Sequence, residues 1–429
     1  MDIKPQKLID LALRRGASHA EVYQSKFKSS SVLFETNNLK SLESSDSQGI
    51  ALRLWKEGAP GLAVAYGEFD SDELADKAIA LSALNNTESI ELNHSYTNFQ
   101  PNKKDSISIE QLIESGKNAI NQLRDIHGEA VCNGEFIHSD YFTCLVNSLG
   151  LHCERNQSLV NYYLELELPT EEDFLSVYDN KLAQGQGKNE IQQTVKTILQ
   201  RLEWAKKTTL APKGYIPVLF TPNGSSMLWN TVSEALNSKF ALDKTSPWSD
   251  KLQKQVMSNS LTLSQNPKYK PYIVPFDDEG TSTQKLSLIK KGNLQQFYNN
   301  LANAKMLGMK STGNGFRPNL KSYPTPTLIN LIVEPGEESF SNLIKKLDQC
   351  IIIDLALGKK IDISGDFSIN IELGYFVQDG LISGRVKNTV VTGNVYKVLE
   401  NIIGIANDPC WINSIHTPSL LVEGLSIIN

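Results

Sequence analysis

The 429-residue sequence lacks the signatures of most familiar chemistries. Its five cysteines (Cys132, Cys144, Cys153, Cys350 and Cys410) are scattered and form no CxxC pair, so spacing gives neither a zinc ribbon nor a disulfide framework. No GxSxG occurs and no histidine is tied to a candidate serine, which argues against a serine hydrolase. A GxxxxGK[ST] loop and a GxGxxG turn are also missing, so nucleotide chemistry is not indicated. The six histidines (His19, His94, His127, His138, His152 and His416) never fall four or five residues apart, and HExxH does not occur. Long apolar runs are absent too. The longest, around Ile351 to Leu357 and Ile402 to Ala406, fall far short of the roughly 18 residues that span a bilayer.

Basic charge is in slight deficit, with 42 Lys plus Arg against 48 Asp plus Glu and a formal net charge of −6. No dense basic cluster interleaved with aromatics is present, so no direct nucleic-acid partner is expected. Met1 to Gly16 lacks the apolar core and small-residue cleavage site of a secretory leader, so a cytoplasmic protein with free, mostly buried thiols is expected. Cys144 and Cys153 could face each other across a hairpin near Asn147 to Gly150, but the register is open. The tightest mixed cluster of metal-type residues is His138, Cys144, His152 and Cys153. Strand alternation sends the adjacent pair to opposite faces, which argues against a zinc site made of all four.

The length suits two or three domains. An opening helix with Leu8, Leu11, Ala12 and Arg15 at helical spacing stops at Gly16. Strands are expected at Ser31 to Glu35, at Gly49 to Trp55 and, after a Gly58 to Gly61 turn, at Leu62 to Tyr66. A helix capped by Asp70 or Ser71 follows, then a polar linker from about Asn85 to Asp105. Ser108 to Gln111 reads as a capping box opening a second unit, with strands at Glu135 to Asn147 and Leu159 to Leu168 and a helix from Glu190 to about Lys206. Thr208 to Tyr215 marks a boundary. Beyond it comes a strand, Ile216 to Phe220, then a helix after Pro222-Asn223 with Leu228, Thr231, Val232, Ala235 and Leu236 on its apolar face. Later strands are expected at Lys285 to Lys290, Leu328 to Val333, Lys360 to Ile363, Ser368 to Val377 and Leu381 to Val386, and helices near Ser341 to Cys350 and Asn394 to Ile403. The fold class is α+β. An N-terminal α/β half, divided into residues 1–100 and 101–210, precedes a C-terminal strand-rich antiparallel sheet or partly closed barrel with attached helices, residues 211–429.

Several segments together resemble the TldD/PmbA family, whose members were first called modulators of DNA gyrase. They are Gly16-Ala17-Ser18-His19-Ala20-Glu21-Val22, Gly49-Ile50-Ala51-Leu52-Arg53, Gly61-Leu62-Ala63 and Asn147-Ser148-Leu149-Gly150. The most specific run from Phe297-Tyr298-Asn299 through Ala304-Lys305-Met306-Leu307-Gly308 into Ser311-Thr312-Gly313-Asn314-Gly315, with Gly365-Asp366-Phe367-Ser368 in support. The resemblance implies a peptidase relative. The family's proteolytic branch carries zinc on a helix with HExxxH, and the matching stretch here is Ser233-Glu234-Ala235-Leu236-Asn237-Ser238. Serine stands at both histidine positions, and a neutral hydroxyl is a far weaker zinc ligand than imidazole. Cys410 does not closely match the C-terminal cysteine ligand of that branch.

The resemblance therefore implies a PmbA/TldE-type auxiliary subunit with no cofactor of its own. Zinc is expected in a TldD-type metallopeptidase partner, and the substrate in an unfolded or modified peptide. A dimer with itself, acting as a non-catalytic binding or regulatory protein, is the alternative. Glu234 reads either as a solvated carboxylate off the helix's apolar face or as a retained functional group. Ser311 to Gly315 with Arg317 reads either as a peptide-binding loop, in which Arg317 pairs with a peptide carboxylate or carbonyl, or as a tight turn.

Overall fold

The computed structural model describes residues 5–94, 107–169 and 174–428. The first helix, α1 (Pro5–Arg14), buries Leu8, Ile9 and Ala12 and ends before Gly16. Two long strands follow, β1 (His19–Glu35) and β2 (Asn38–Lys56), then β3 (Ala59–Tyr66). Helix α2 (Ser71–Ser82) starts where Asp70 accepts hydrogen bonds from the backbone N–H groups of Asp72 and Glu73. Helix α3 (Ile109–Ile126) opens with the expected box, Ser108 and Gln111 each satisfying the other's backbone. Then come β4 (Val131–Asn147), β5 (His152–Pro169), β6 (Phe174–Ala183) and helix α4 (Lys188–Trp204). Part of the polar linker expected at 85–105 and the first four residues of the opening segment lie outside the described residues.

These strands form one six-stranded sheet in the order β3-β2-β1-β4-β5-β6. Strand β1 pairs antiparallel with β2 on one side and with β4 on the other, so residues before and after the linker share a single sheet. Strands β1 and β2 are far longer than their apolar stretches suggested. Their middle and turn-side portions, such as Ser29 to Ser31 and Glu43 to Gln48, are polar because they are half-buried or exposed, and a polar run carries no period-2 hydrophobic signal.

The C-terminal half is built on a closed barrel. Its five strands are β7 (Gly214–Phe220), β8 (Gln349–Leu357), β9 (Asp366–Gln378), β10 (Val390–Asn394) and β11 (Leu420–Ile428). The ring runs β8-β7-β11-β10-β9 and closes because β9 also pairs with β8. All pairings around it are antiparallel except β7 with β8. Ile351 to Ile353 is apolar at every position because both faces of the strand are buried, and a bulge between Ile353 and Leu355 breaks the alternation at Asp354. Ile351 and Ile353 enter the core that holds Val218 and Phe220, whereas Cys350, Ile352 and Leu355 join Leu219 in the core shared with α3, α4 and the N-terminal sheet.

Helix α5 (Pro222–Ala235) follows β7 directly, with Thr221 as its N-cap. It packs against β8 on one side and against the strands at Cys410–Ile412 and Ile415–Thr417 on the other. Those two strands edge a second six-stranded sheet that also contains Leu263–Gln265, Leu286–Lys290 and Leu331–Val333.

Two expected elements differ. Residues 360–363 form no strand: Asp362 and Ser364 make a side-chain-closed turn into Gly365, and only Ile361 is buried. The helix expected over Ser341 to Cys350 stops at Ile344, because Leu347 and Asp348 turn against Asp379 and Gly380 and Gln349 already begins β8.

Candidate functional site

The stretch Ser233 to Ser238, read from the resemblance as the counterpart of HExxxH, straddles a helix break. Helix α5 ends at Ala235, and Asn237 caps a short α6 (Ser238–Leu242) by accepting from the Lys239 N–H at 2.9 Å. Ser233 and Ser238 therefore sit on different helices. The Ser233 hydroxyl donates back to the Trp229 carbonyl at 2.8 Å, and the fully buried Ser238 hydroxyl accepts from the Asn303 side chain at 3.0 Å. Tyr298 ties the break together, its hydroxyl donating to the Ser233 carbonyl at 3.1 Å and its carbonyl accepting from the Ser238 N–H at 3.1 Å. Asn237 Nδ2 adds a bond to the Pro326 carbonyl at 3.0 Å. The Glu234 carboxylate lies 2.5 Å from Lys360 Nζ near the surface. Two engaged hydroxyls on separate helices and a lysine-paired carboxylate are not a zinc ligand set. The residues present do not fit the metal of the proteolytic branch.

The segment Ser311 to Arg317 is a buried brace between the two halves. Ser311 accepts from the Gly313 N–H at 3.2 Å. The Thr312 N–H donates to Asn299 Oδ1 at 2.9 Å, and Thr312 Oγ1 accepts from the Asn299 N–H at 2.8 Å. Asn314, fully buried, donates to Gln265 Oε1 at 2.7 Å and to the Thr327 carbonyl at 2.8 Å. Gly313 needs its positive φ of 72°, and a Cβ at Gly315 would sit 2.2 Å from Glu279 Oε2. Arg317 does not face solvent: its side chain is 2% exposed and its Nη2 lies 2.5 Å from Glu21 Oε1 on β1. Arg53 on β2 reaches the same oxygen at 3.2 Å. Thr312, Asn314 and Arg317 are thus engaged within the protein.

Acidic groups surround that brace. Asp277 Oδ2 accepts from the Gly315 N–H at 2.8 Å and Glu279 Oε2 from the Leu301 N–H at 2.8 Å. Burial holds both carboxyls well above the usual carboxylate range, and for Glu279 the Asp277 charge adds to it. Asp278 pairs with Arg155 on β5 at 2.6 Å. Sequence reading singled out none of Glu21, Arg53, Arg155, Asp277, Asp278 or Glu279 as an ionic cluster. Their partners lie 22 to 296 residues apart, beyond any spacing rule, and alternation only places Arg53 on the face opposite Ile50 and Leu52.

A cavity of about 310 Å³ opens at the other end of α5, lined by Asp179, Lys181, Arg201, Trp204, Phe340 and Cys410 among others. Arg201 Nε and Nη2 reach Asp354 at 2.5 and 3.0 Å, and the capping Thr221 hydroxyl donates to the same carboxylate at 2.7 Å. Cys410 is a free thiol that burial pushes up to about 11. It lines this cavity beside Pro222 and Asn223. Eleven residues of helix separate those from Ser233, about 16 Å of axial rise, so Cys410 does not converge with the serine positions. Among the described residues no helix is long and apolar enough to cross a membrane.

A six-stranded N-terminal sheet docked on a closed five-stranded barrel defines a class of α+β protein that has been solved before. TldE from Thermococcus kodakarensis superposes with a TM-score of 0.92 over 99% of both chains at 21% identity, a likeness that establishes the fold. A family model described as the PmbA/TldA metallopeptidase C-terminal domain matches residues 213–429, and one described as PmbA/TldA metallopeptidase domain 1 matches residues 20–82. The chain belongs to the PmbA/TldD family.

Among curated relatives, it is 28% identical over 239 residues to a metalloprotease PmbA homolog of Buchnera aphidicola, covering 55% of this chain and 50% of the relative. It is 30% identical over 185 residues to a metalloprotease TldD homolog of the same organism, covering 42% of this chain and 38% of the relative. The chain spans about half or less of the length of these relatives. A metalloprotease of Methanothermobacter thermautotrophicus aligns over 91% of this chain and 88% of its own length at 20% identity.

Proposed function

We propose that this chain is the subunit without the catalytic zinc in a two-component peptidase, paired with a TldD-type partner that carries HExxxH and its zinc. One observation carries the reading. Every group at the metal-motif positions is used internally, Ser233 and Ser238 by hydrogen bonds and Glu234 by Lys360, while the surrounding fold is intact. Peptide hydrolysis then belongs to the partner. This chain shapes the chamber and holds an extended, unfolded or modified peptide. Among the described residues β3 and β6 end the N-terminal sheet, and such edges can bind extended backbone by strand addition. Assembly in the cytoplasm is part of the same proposal.

The test is co-expression with the HExxxH-bearing paralogue from the same genome. Complex composition is measured by size and subunit ratio, and cleavage of an unfolded peptide is followed with each component alone and with both. A mixed complex that cleaves in a chelator-sensitive way far better than either part supports the reading. A homodimer of this chain that leaves the paralogue's activity unchanged overturns it and favours a separate binding role.

A further inference from the structure

Strands β4 and β5 set Cys144 directly opposite Glu154. His152 lies two residues before Glu154 and so projects from the same face of the sheet. His152 Nε2 stands 3.0 Å from Glu154 Oε1 and 3.9 Å from Cys144 Sγ, and the three donor atoms lie within 4.8 Å of one another. A tetrahedral zinc ion, bonded at about 2.3 Å to sulfur and about 2.0 Å to nitrogen and oxygen, puts its S and N ligands about 3.5 Å apart and its N and O ligands about 3.3 Å apart. The observed separations bracket those values, so small side-chain rotations would close the site.

The platform is rigid, because β4 and β5 are both interior strands of the six-stranded sheet. The donors are graded in depth. Cys144 is 3% exposed, whereas the side chains of His152 and Glu154 are about half exposed, at 53% and 50%. A half-exposed His–Glu pair alone contributes little to stability. The Cys144 thiol also hydrogen-bonds the Glu154 carboxylate, so the three groups already converge on one point.

We propose that Cys144, His152 and Glu154 form a zinc-class transition-metal site on the N-terminal sheet. Thiolate, imidazole and carboxylate together suit zinc or cobalt better than magnesium or calcium. Binding displaces the Cys144 thiol proton to solvent. One dipositive ion then balances one thiolate and one carboxylate, and a water fills the fourth position on the open side. The four-residue cluster considered from sequence is replaced. His138 instead hydrogen-bonds Ser158 at 2.9 Å, Cys153 packs in a different core with Leu145 and Leu151, and Glu154 completes the set. The adjoining Leu151 packs on Gly280 of the C-terminal half, so an ion here would stiffen the hairpin at its docking point.

The test is titration of the chelator-stripped chain, alone, with cobalt(II). The expected result is one equivalent bound with a thiolate-to-cobalt charge-transfer band, displaced by zinc. Cys144→Ser should remove the band. His152→Ala and Glu154→Ala, at half-exposed positions that leave folding intact, should each weaken binding by at least about 100-fold, beyond the usual loss from an outer-shell change. Cys410→Ser should change nothing. No thiolate band in the parent chain, a band that forms in His152→Ala with unchanged affinity, or one that vanishes with Cys410→Ser overturns the proposal. The readout uses neither a partner nor peptide cleavage, so it fails or succeeds separately from the subunit proposal.

Discussion

Replacing Glu21 should damage this protein more than replacing Arg317, although they are partners. Glu21 is 1% exposed and holds two guanidinium groups, Arg317 at 2.5 Å and Arg53 at 3.2 Å. Glu21→Gln leaves both cations buried without their shared anion. Removing one partner from a buried pair costs about 3–5 kcal/mol, and the upper part of that range applies where two cations are left facing each other. Arg317→Met leaves the Glu21–Arg53 pair in place and keeps most of the aliphatic volume. Its cost is then near that of one charge-assisted hydrogen bond, about 1.5–3 kcal/mol, together with the donor lost to the Ser322 carbonyl. The double variant should be less destabilised than the sum, by about 1–3 kcal/mol, because its second change removes a cation the first has stranded. Urea unfolding followed by tryptophan fluorescence suits the measurement, since the Arg53 guanidinium lies 4.6 Å from the Trp55 ring. An Arg317→Met chain as stable as its parent, with weakened peptide binding, would refute the brace and restore the peptide-gripping reading of Arg317.

Three further outcomes follow from the same geometry. Ser233→His combined with Ser238→His should gain no zinc over its parent by metal analysis and should lower stability, because the positions lie on separate helices and Ser238 is fully buried. Stoichiometric zinc in that variant that survives loss of Cys144 would contradict it. Glu279 has a folded pKa raised by burial and by Asp277, so its folded state binds the proton more tightly than the unfolded chain does. Its contribution is full at acid pH and is lost as pH rises above the ordinary carboxyl range toward neutrality. Unfolding midpoints of Glu279→Gln should therefore fall less than the parent's between acid and neutral pH, and parallel pH profiles would count against it. Gly315→Ala should cost about 1–3 kcal/mol by overpacking against the Glu279 carboxylate, read as a lower urea midpoint at unchanged slope.

Much of the architecture was legible because it rests on local chemistry. Asp70 and Ser108 each announce a helix start as caps read directly from sequence. Strand β7 emerged from Pro and Gly punctuation followed by an apolar run. What remained hidden was non-local. Closure of the barrel depends on β9 pairing with both β8 and β10, which no single segment encodes. Strand β6 escaped notice because Phe174 to Ala183 mixes Asp179 and Lys181 into its pattern, and both are buried at the junction with α4, where Arg201 lies 3.6 Å from Asp179. The metal-motif positions were found by resemblance, but the break at Asn237 was not. Asn is an ordinary helix interior residue in a pattern search and a cap only when its neighbours supply the next turn.

That break bears on how the serine-bearing segment came to be stable. A metal at such a site would tie a helix to its surroundings through a few strong bonds, and those bonds would also set the helix's continuity. Here the same region is fastened by neutral hydrogen bonds. Tyr298 joins the last turn of α5 to the first residue of α6, Asn303 reaches Ser238, and Asn237 reaches Pro326. Each is worth about 1 kcal/mol net, and each satisfies a buried group that would otherwise cost more. The loop from Tyr298 to Arg317 thus serves two ends at once, bracing the α5–α6 break through Tyr298 and the N-terminal sheet through Arg317. Because those bonds occupy the hydroxyls and fix a bend between them, restoring two imidazoles would not restore a ligand geometry. The bend would have to be straightened first, and that would require undoing the contacts that Tyr298, Asn303 and Pro326 make with it.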